Sequence, residues 1–157
     1  MIEIERKFLI NSNAFKEEAN TKTRLVQGFL NTDPERTVRV RIKGDQGFLT
    51  VKGKSTNDGL SRFEWETVIS KKEAEALLKL CKPSIIDKLR YEIKVGKHLY
   101  EVDEFFGDNE GLIVAEVELS SKNDIFKKPK WLGKEITGQI KYYNSQLSKQ
   151  PYKTWSP

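Results

Sequence analysis

The sequence predicts a mainly β protein of the α+β class, built on an eight-stranded antiparallel β-barrel with peripheral helices. Most of the chain alternates between apolar and polar residues with a period of two. Such alternation is typical of strands whose two faces meet different surroundings. The segments are joined by short turns rich in Gly, Asn, Asp and Pro, which favour antiparallel neighbours. Eight antiparallel strands protect their edges by closing into a barrel.

The predicted elements follow each other at short intervals. Strands are expected at 2–10, 24–31, 37–43, 48–54, 60–69, 87–95, 99–106 and 112–119. The pair Ser70 and Glu73 forms a capping box ahead of apolar residues at helical spacing, which predicts one helix. A shorter helix is expected to begin at Ser121 and to end before Pro129, and the apolar spacing over 136–147 predicts a third. We expect residues 1–150 to form one domain and 151–157 a C-terminal tail.

Composition limits the class of protein. The chain has 157 residues, and 28 Lys and Arg against 23 Asp and Glu give a net charge of +5, which is compatible with an anionic partner. No apolar run approaches the ~18 to 20 residues of a membrane span, and the first residues are charged where a signal peptide is apolar. We therefore expect a cytoplasmic protein with no membrane partner.

A single cysteine and a single histidine exclude several kinds of chemistry. Cys81 and His98 are too few for a zinc cluster, and they make a Cys-His or Ser-His catalytic arrangement a poor hypothesis. We interpret Cys81 as a small core residue and His98 as a solvated residue near a turn. Any bound metal would have to be held by oxygen atoms.

The predicted strands sort their charges by sign. Glu116 and Glu118 share one face of a strand, as do Arg39 and Arg41. The simplest interpretation is a barrel whose charged faces meet water. However, like charges two residues apart repel each other and need a counter-ion, and the helices need an apolar outer surface to pack on. We therefore expect the ionic faces to turn inward and to line a tunnel.

The residue types in such a tunnel indicate its guest. Buried charges are costly unless they are paired or bound to a ligand. Arg and Lys side chains from several strands suit a run of phosphates. Carboxylates suit Mg²⁺ or Mn²⁺, which commonly bridge carboxylates and phosphate oxygens. The two groups together favour a metal-bound polyphosphate.

The sequence resembles the CYTH proteins, also called triphosphate tunnel metalloenzymes. Residues 3–7 fit their E-x-E-x-K signature, and 39–41 and 50–52 resemble the R-x-R/K and T-x-K strands. The segment Leu60 to Glu66 resembles S-R-x-E-x-E. Residues 88–91 resemble K-x-R-Y, followed by an acidic strand at 102–103 and paired glutamates at 116–118. Residues 131–137 resemble the compact bacterial members, many of which hydrolyse inorganic triphosphate.

This resemblance implies a role for each matching residue. The implied metal ligands for Mg²⁺ or Mn²⁺ are Glu3, Glu5, Asp103, Glu116 and Glu118. The implied triphosphate-binding residues are Lys7, Arg39, Arg41, Lys52, Arg62, Lys88 and Arg90. All of the latter except Arg62 are also implied to act catalytically, by stabilising charge on phosphoryl oxygens. The resemblance assigns no general base and no role to Lys134 or to the C-terminal helix.

The expected function is metal-dependent hydrolysis of tripolyphosphate to pyrophosphate and phosphate. An adenylyl cyclase and a thiamine triphosphatase of the same family remain alternatives, because the same residues serve all three reactions. A non-enzymatic barrel that binds RNA or another polyanion is the alternative of a different class. Against it, Phe63, Trp65 and Tyr91 lie on the parity opposite the neighbouring charges, so nucleic acid is not expected as a partner. A homodimer is the default hypothesis for the oligomeric state.

Overall fold

The computed structural model describes residues 1–155, which form nine strands, three short α-helices and three single turns of 3₁₀-helix. The strands are β1 (Ile2–Ile10), β2 (Thr21–Asn31), β3 (Arg36–Lys43), β4 (Gln46–Gly53), β5 (Ser61–Ser70), β6 (Ile86–Val95), β7 (His98–Phe105), β8 (Ile113–Glu118) and β9 (Leu132–Glu135). The α-helices are α1 (Phe15–Glu18), α2 (Lys71–Leu78) and α3 (Asn144–Lys149), and the 3₁₀ turns are Gly107–Asn109, Ile140–Tyr142 and Tyr152–Thr154.

Eight of the strands close into an antiparallel barrel, as the sequence predicts. Their order is β5-β4-β3-β2-β6-β7-β8-β1, and the first half of β1 pairs with β5 to complete the ring. At that seam Glu3 lies opposite Arg62, whereas farther along β1 Lys7 lies opposite Glu116 of β8. The short strand β9, which was not predicted, adds to the end of β1 at Phe8 and Ile10 and stays outside the ring.

The main hydrophobic core lies outside the barrel, between its wall and the segments that cover it. The outward faces of β1, β6, β7 and β8 supply buried Phe8, Tyr91, Tyr100 and Val117. Phe15 of α1 and Trp131, just before β9, pack on these residues with edge-to-face ring contacts. Because the apolar faces turn outward to meet this covering, the opposite parity of each strand turns inward.

A second hydrophobic cluster covers one end of the barrel. Phe29 and Phe105 lie on inward positions, paired across the ladder with Arg39 and Lys88. Both pack against residues of the C-terminal segment, with Ile136, Tyr142 and Leu147 among them. The tail beyond residue 150 joins this cluster through Tyr152 and Trp155. The C-terminal segment therefore caps the end of the barrel at which β3 begins.

The predicted helices are confirmed in one case and wrong in two. The capping box of Ser70 and Glu73 is present and begins α2. Residues 121–128 contain no helix, because the Asp124 carboxylate accepts hydrogen bonds from the backbone N–H and hydroxyl of Ser120 and fixes a turn. The predicted helix over 136–147 is interrupted at Gly138, whose φ of +79° is left-handed, and α3 begins only at Asn144. No α-helix within residues 1–155 is long and apolar enough to cross a membrane.

The interpretation of His98 as a solvated residue is also wrong. It begins β7, is buried, and its Nε2 lies 3.0 Å from Oδ2 of Asp124. The same carboxylate holds the turn after β8, so His98 connects that turn to the barrel wall. Cys81 is half-buried, and its Sγ donates to the carbonyl of Leu77 at the end of α2. Both residues serve the packing of segments on the outside of the barrel.

Two glycines join the loop before β5 to the C-terminal segment. Gly59 has a φ of +73°, and a Cβ placed on it would lie 2.3 Å from Cα of Gly138. At this distance the two backbones leave no room for any side chain. Gly44, in the turn between β3 and β4, has a similar φ of +60°, but no atom of the described part of the chain lies within 4 Å of such a Cβ. The two positions therefore share their backbone conformation and differ in crowding.

We expect Gly59→Ala to destabilise the protein more than Gly44→Ala. Both substitutions place alanine at left-handed φ, which costs about 1 kcal/mol. Only Gly59→Ala also forces apart two packed backbones, and overpacking of this kind costs roughly 1–3 kcal/mol more. Urea unfolding of both variants measures the difference. Equal losses in the free energy of unfolding would show that the Gly59–Gly138 contact contributes nothing.

Candidate functional site

The ionic faces of the strands meet inside the barrel. Strand alternation places Glu3, Glu5 and Lys7 of β1 on the inner face, and the same parity holds on the other strands. Together with these three, the residues of the predicted site that line the interior are Arg39, Arg41, Lys52, Arg62, Lys88, Arg90, Glu116 and Glu118. Asp103 is the predicted site residue that stands apart, buried behind Lys88 and Arg90. The lumen is therefore a highly charged cavity.

Two arginines on β3 form a buried cationic pair. Nη2 of Arg39 lies 3.1 Å from Oγ1 of Thr50 and 3.4 Å from Oε2 of Glu66, and Nη2 of Arg41 lies 3.8 Å from the same carboxylate oxygen. Within residues 1–155, the Nε atoms of both arginines are buried without a hydrogen-bond partner. Burial lowers the pKa of Arg39, and burial together with Arg39 and Arg90 lowers that of Arg41 to about 10. The pair has more positive charge than its surroundings compensate.

Lys88 and Arg90 of β6 share a buried aspartate on β7. Asp103 accepts from Nζ of Lys88 at 2.9 Å and from Nε and Nη2 of Arg90 at 2.8 and 2.9 Å. Burial opposes ionisation of Asp103, but Arg90 and Lys88 outweigh it and hold the pKa of the carboxyl well below its usual range. Burial also lowers the pKa of Lys88 to about 8. One carboxylate thus holds the charged groups of two side chains that line the lumen in place.

Four glutamates of β1, β7 and β8 form the acidic side of the cavity. Glu5 lies opposite Glu118 in the β1–β8 ladder, and Glu101 lies opposite Glu116 in the β7–β8 ladder. Nζ of Lys7 stands 3.9 Å from Oε1 of Glu5 and 3.8 Å from Oε1 of Glu116. Burial and the nearby Glu116 raise the pKa of Glu5 to about 8, and burial raises the pKa values of Glu101 and Glu118. Lys7, together with Arg90, whose Nη1 lies 3.0 Å from Oε2 of Glu101, offsets only part of the negative charge on this side.

Glu3 and Glu64 share the ammonium of Lys52. The lysine Nζ lies 3.1 Å from Oε1 of Glu3 and 3.2 Å from Oε2 of Glu64. Burial opposes ionisation of Glu3, but Lys52, Glu64 and Arg62 together lower its pKa to about 2. The pKa of Glu64 is raised by burial and by the Glu3 charge. Glu3 is thus a permanent anion at the border between the acidic and the basic side of the lumen.

The acidic side fits a hard divalent cation. Its donors are carboxylate oxygens, which Mg²⁺ and Mn²⁺ prefer, and a dication beside Glu5 and Glu118 would stabilise the ionised form that burial and the neighbouring glutamates disfavour. Within the described part of the chain, no three acidic, His or Cys side chains already stand in a metal-binding arrangement. Lys7 stands between Glu5 and Glu116, and its ammonium occupies the space that a cation between these two carboxylates would need.

The C-terminal segment supplies site residues that the sequence reasoning missed. The ring of Tyr143 lies 4.8 Å from Nζ of Lys7 and 5.4 Å from Cζ of Arg62. Oδ1 of Asn144 accepts a hydrogen bond from Nζ of Lys88 at 2.8 Å, and Ser145 also lines the cavity. Tyr143 belongs to the apolar spacing that predicted a helix over 136–147, and no periodicity or motif marks Asn144 or Ser145. Only the docking of the segment on the end of the barrel brings the three residues to the lumen.

Three acidic residues of the lumen were also missed, although the sequence held a signal for them. Glu64 and Glu66 share the parity of Arg62 on β5, and Glu101 shares that of Asp103 on β7. The rule that placed the other charges inside places these inside as well. They add acidic groups to the lumen on β5 and on β7.

Comparisons with known proteins agree with this architecture. The CYTH domain matches residues 1–151. An inorganic triphosphatase of Acetivibrio thermocellus is 47% identical over 154 residues, which cover 98% of this chain and 97% of the relative. An inorganic triphosphatase of Nitrosomonas europaea is 34% identical over 152 residues, covering 94% and 97%. The crystal structure of the inorganic triphosphatase NE1496 superposes with a TM-score of 0.66 at 30% identity, over 99% of both chains.

Dependence on a metal is a property of the triphosphatases of this family, and the acidic side of the lumen provides the donors that such a metal needs. The closed barrel, its inward ionic faces and the near full-length matches lead to one assignment: this chain belongs to the CYTH domain family.

Proposed function

We propose that this protein hydrolyses inorganic triphosphate to pyrophosphate and phosphate inside the barrel, with Mg²⁺ or Mn²⁺ as cofactor. The two relatives named inorganic triphosphatase support the proposal. The observation that carries it is the charge distribution of the lumen. Arg39 and Arg41, whose pKa values are lowered, line the same cavity as Glu5 and Glu118, whose pKa values are raised. A polyanion that carries a metal satisfies both sides at once.

The basic side would bind the phosphate chain. Among residues 1–155, the buried Nε–H groups of Arg39 and Arg41 have no hydrogen-bond partner, so they can donate to phosphate oxygens. Lys52, Arg62, Lys88 and Arg90 line the same cavity from three further strands. Because these cations are fixed by carboxylates behind or beside them, they need little rearrangement when a triphosphate binds. Such preorganised charge is the largest contribution that a protein makes to phosphoryl transfer.

Glu3, Glu5, Glu116 and Glu118 would hold the metal, with Asp103 as a further candidate whose oxygens now accept from Lys88 and Arg90. When bound, such an ion neutralises phosphate charge and lowers the pKa of a water molecule that it binds. Lys7 would move its ammonium away from Glu5 and Glu116 toward a phosphate oxygen, because the two glutamates then have another counter-charge.

The reaction joins a water oxygen to the terminal phosphorus as the bridging P–O bond breaks, and pyrophosphate leaves with the bridging oxygen. Charge grows on the bridging and terminal oxygens, where Arg39, Arg41, Lys88 and Arg90 donate hydrogen bonds. No side chain of the lumen is assigned as general base. The cytoplasmic location and the homodimer stay predictions.

The substrate is tested by separating the products of turnover on tripolyphosphate, ATP and thiamine triphosphate, first with Mg²⁺ and then with Mn²⁺. We expect pyrophosphate and phosphate from tripolyphosphate, with turnover that is lost in EDTA. Cyclic AMP from ATP would replace the proposal by an adenylyl cyclase, and faster turnover of thiamine triphosphate by a thiamine triphosphatase. Salt-sensitive RNA binding without any phosphate release would favour the polyanion-binding barrel.

We expect Glu116→Gln to lower metal-dependent turnover at least about a hundredfold, because it removes an anionic oxygen from the acidic side. The matched control is Glu104→Gln on β7, whose carboxylate lies outside the barrel and pairs with Lys16. Phosphate release across a series of metal concentrations measures both variants. Near-normal release by Glu116→Gln would remove this residue from the metal site.

Arg41→Gln is expected to raise KM and to lower kcat together, each about tenfold or more. The guanidinium binds phosphate oxygens in the ground state and binds them more strongly as charge develops in the transition state. Arg24→Gln is the control, because Arg24 lies on β2 in an exposed ion pair with Asp87. Steady-state kinetics with tripolyphosphate separate the two parameters. A change in KM alone would mean that Arg41 only binds the substrate.

A further inference from the structure

We propose that Asn144 and Gln27 are positioning residues that hold the Lys88 ammonium in one orientation toward a phosphoryl oxygen of the substrate. This inference rests on the proposed function and deepens it. The three side chains come from separate parts of the chain: Gln27 from β2, Lys88 from β6 and Asn144 from the first turn of α3. They meet at the end of the barrel that the C-terminal segment covers.

The hydrogen bonds around Asn144 fix the orientation of both amides. Oδ1 of Asn144 lies 2.8 Å from Nζ of Lys88 and 2.8 Å from Nε2 of Gln27. An ammonium can only donate, so the Asn144 atom that faces Lys88 has to be the oxygen. The Gln27 atom that faces this oxygen then has to be the amide nitrogen. One amide oxygen thus accepts from two donors, and neither amide can rotate by 180° without losing these bonds.

The Gln27 side chain reduces the stability of the fold at this position. Its side chain is fully buried, and its Oε1 has no hydrogen-bond partner within residues 1–155. A buried polar atom without a partner destabilises a fold, whereas an apolar side chain of the same shape would not. What the amide of Gln27 provides is a donor for Asn144. A destabilising group that donates to the same amide oxygen as a lumen cation is evidence of a role in the chemistry and not in packing.

Two of the three N–H bonds of Lys88 are thereby fixed. One points to Oδ1 of Asn144, and a second points to Oδ2 of Asp103 at 2.9 Å. Since the ammonium is tetrahedral, the direction of its third N–H bond follows from the other two. Lys88 lines the cavity together with Arg39 and Arg90, so this third bond is available to a guest there. Asn144 and Asp103 together convert a flexible ammonium into a directed donor.

This geometry separates binding from catalysis. A lysine acts at a distance as a point charge, so its attraction for a bound triphosphate depends little on the direction of each N–H bond. The hydrogen bond to a phosphoryl oxygen in the transition state does depend on that direction. Loss of a positioning residue should therefore lower kcat while leaving KM nearly unchanged.

The experiment measures tripolyphosphate turnover and thermal unfolding for Asn144→Ala and Gln27→Met. We expect Asn144→Ala to lower kcat about ten- to thirtyfold with KM within about threefold of the wild type. Gln27→Met removes the second donor and the unpartnered oxygen, so it should lower kcat about three- to tenfold while Tm stays equal or rises. A lower Tm with unchanged kcat in Gln27→Met would overturn the proposal, and this variant decides by itself if Asn144→Ala does not fold.

Two further variants distinguish positioning from anchoring of the helix. Ser148 lies on α3 as well, and its hydroxyl donates to the carbonyls of Pro83 and Ser84. Ser148→Ala therefore loosens the same helix without touching Lys88, and we expect kcat to be unchanged. Asn144→Asp keeps the accepting oxygen but adds a negative charge, so kcat should recover to within about threefold of the wild type while KM rises. Equal kinetic losses in Ser148→Ala and Asn144→Ala would reduce Asn144 to a structural role.

Binding and hydrolysis of tripolyphosphate by the wild-type protein show whether a negative result contradicts the proposed function or only the positioning role. Calorimetric binding of tripolyphosphate in EDTA gives a second readout that does not depend on turnover. Wild-type protein that binds but does not hydrolyse tripolyphosphate would contradict the proposed function and the positioning role together. Wild-type hydrolysis with normal kcat in both Asn144→Ala and Gln27→Met would contradict the positioning role alone.

Discussion

The orientation of the strands is the constraint on which the whole molecule depends. Most barrel strands carry one apolar and one ionic face, and a barrel of this size has room inside for only one of them. The apolar faces turn outward, where Phe15, Trp131 and their neighbours cover them, so the charges have to converge. Helix α2 and strand β9 are thus consequences of the ionic lumen, because the reversed barrel needs apolar partners on its outside.

The charges inside the barrel compensate each other only in part, and the groups that are left unmatched indicate what the lumen binds. Asp103 is matched by Lys88 and Arg90 so well that its pKa falls well below the usual range. Arg41 and Glu5, in contrast, have pKa values shifted toward their neutral forms. A protein selected only for stability would pair these groups or replace them by apolar residues. Their persistence in one cavity is best explained by a guest that brings both a negative and a positive charge.

The barrel and most of its lumen could be predicted from the sequence because both follow from a period of two. Alternation is a local property, so it placed eight strands and turned Glu3, Arg39 and Glu116 to the same side without any knowledge of contacts. The same rule places Glu66 and Glu101 on the inner face as well, although neither was assigned to the site.

Several of the errors lie where long-range contacts decide the conformation. The apolar spacing over 136–147 resembles a helix, but Gly138 packs backbone to backbone against Gly59 and interrupts it. His98 follows a turn in the sequence, and only the distant Asp124 explains its burial. Asn144 belongs to the same class: its importance comes from Lys88 and Gln27, which lie 56 and 117 residues away along the chain.

Because the hydrophobic core lies outside the barrel, the outward faces of the strands stabilise the fold and the inward faces carry the chemistry. Outward residues such as Tyr100 and Val117 stabilise the fold, so substitutions there are constrained by close packing. Apart from Phe29 and Phe105, the inward residues named above are polar or charged and contribute little apolar contact, so an exchange of one of them for another of similar size changes the chemistry with a smaller effect on folding. A scaffold divided in this way can acquire new reactions by mutation of its interior while its exterior stays the same.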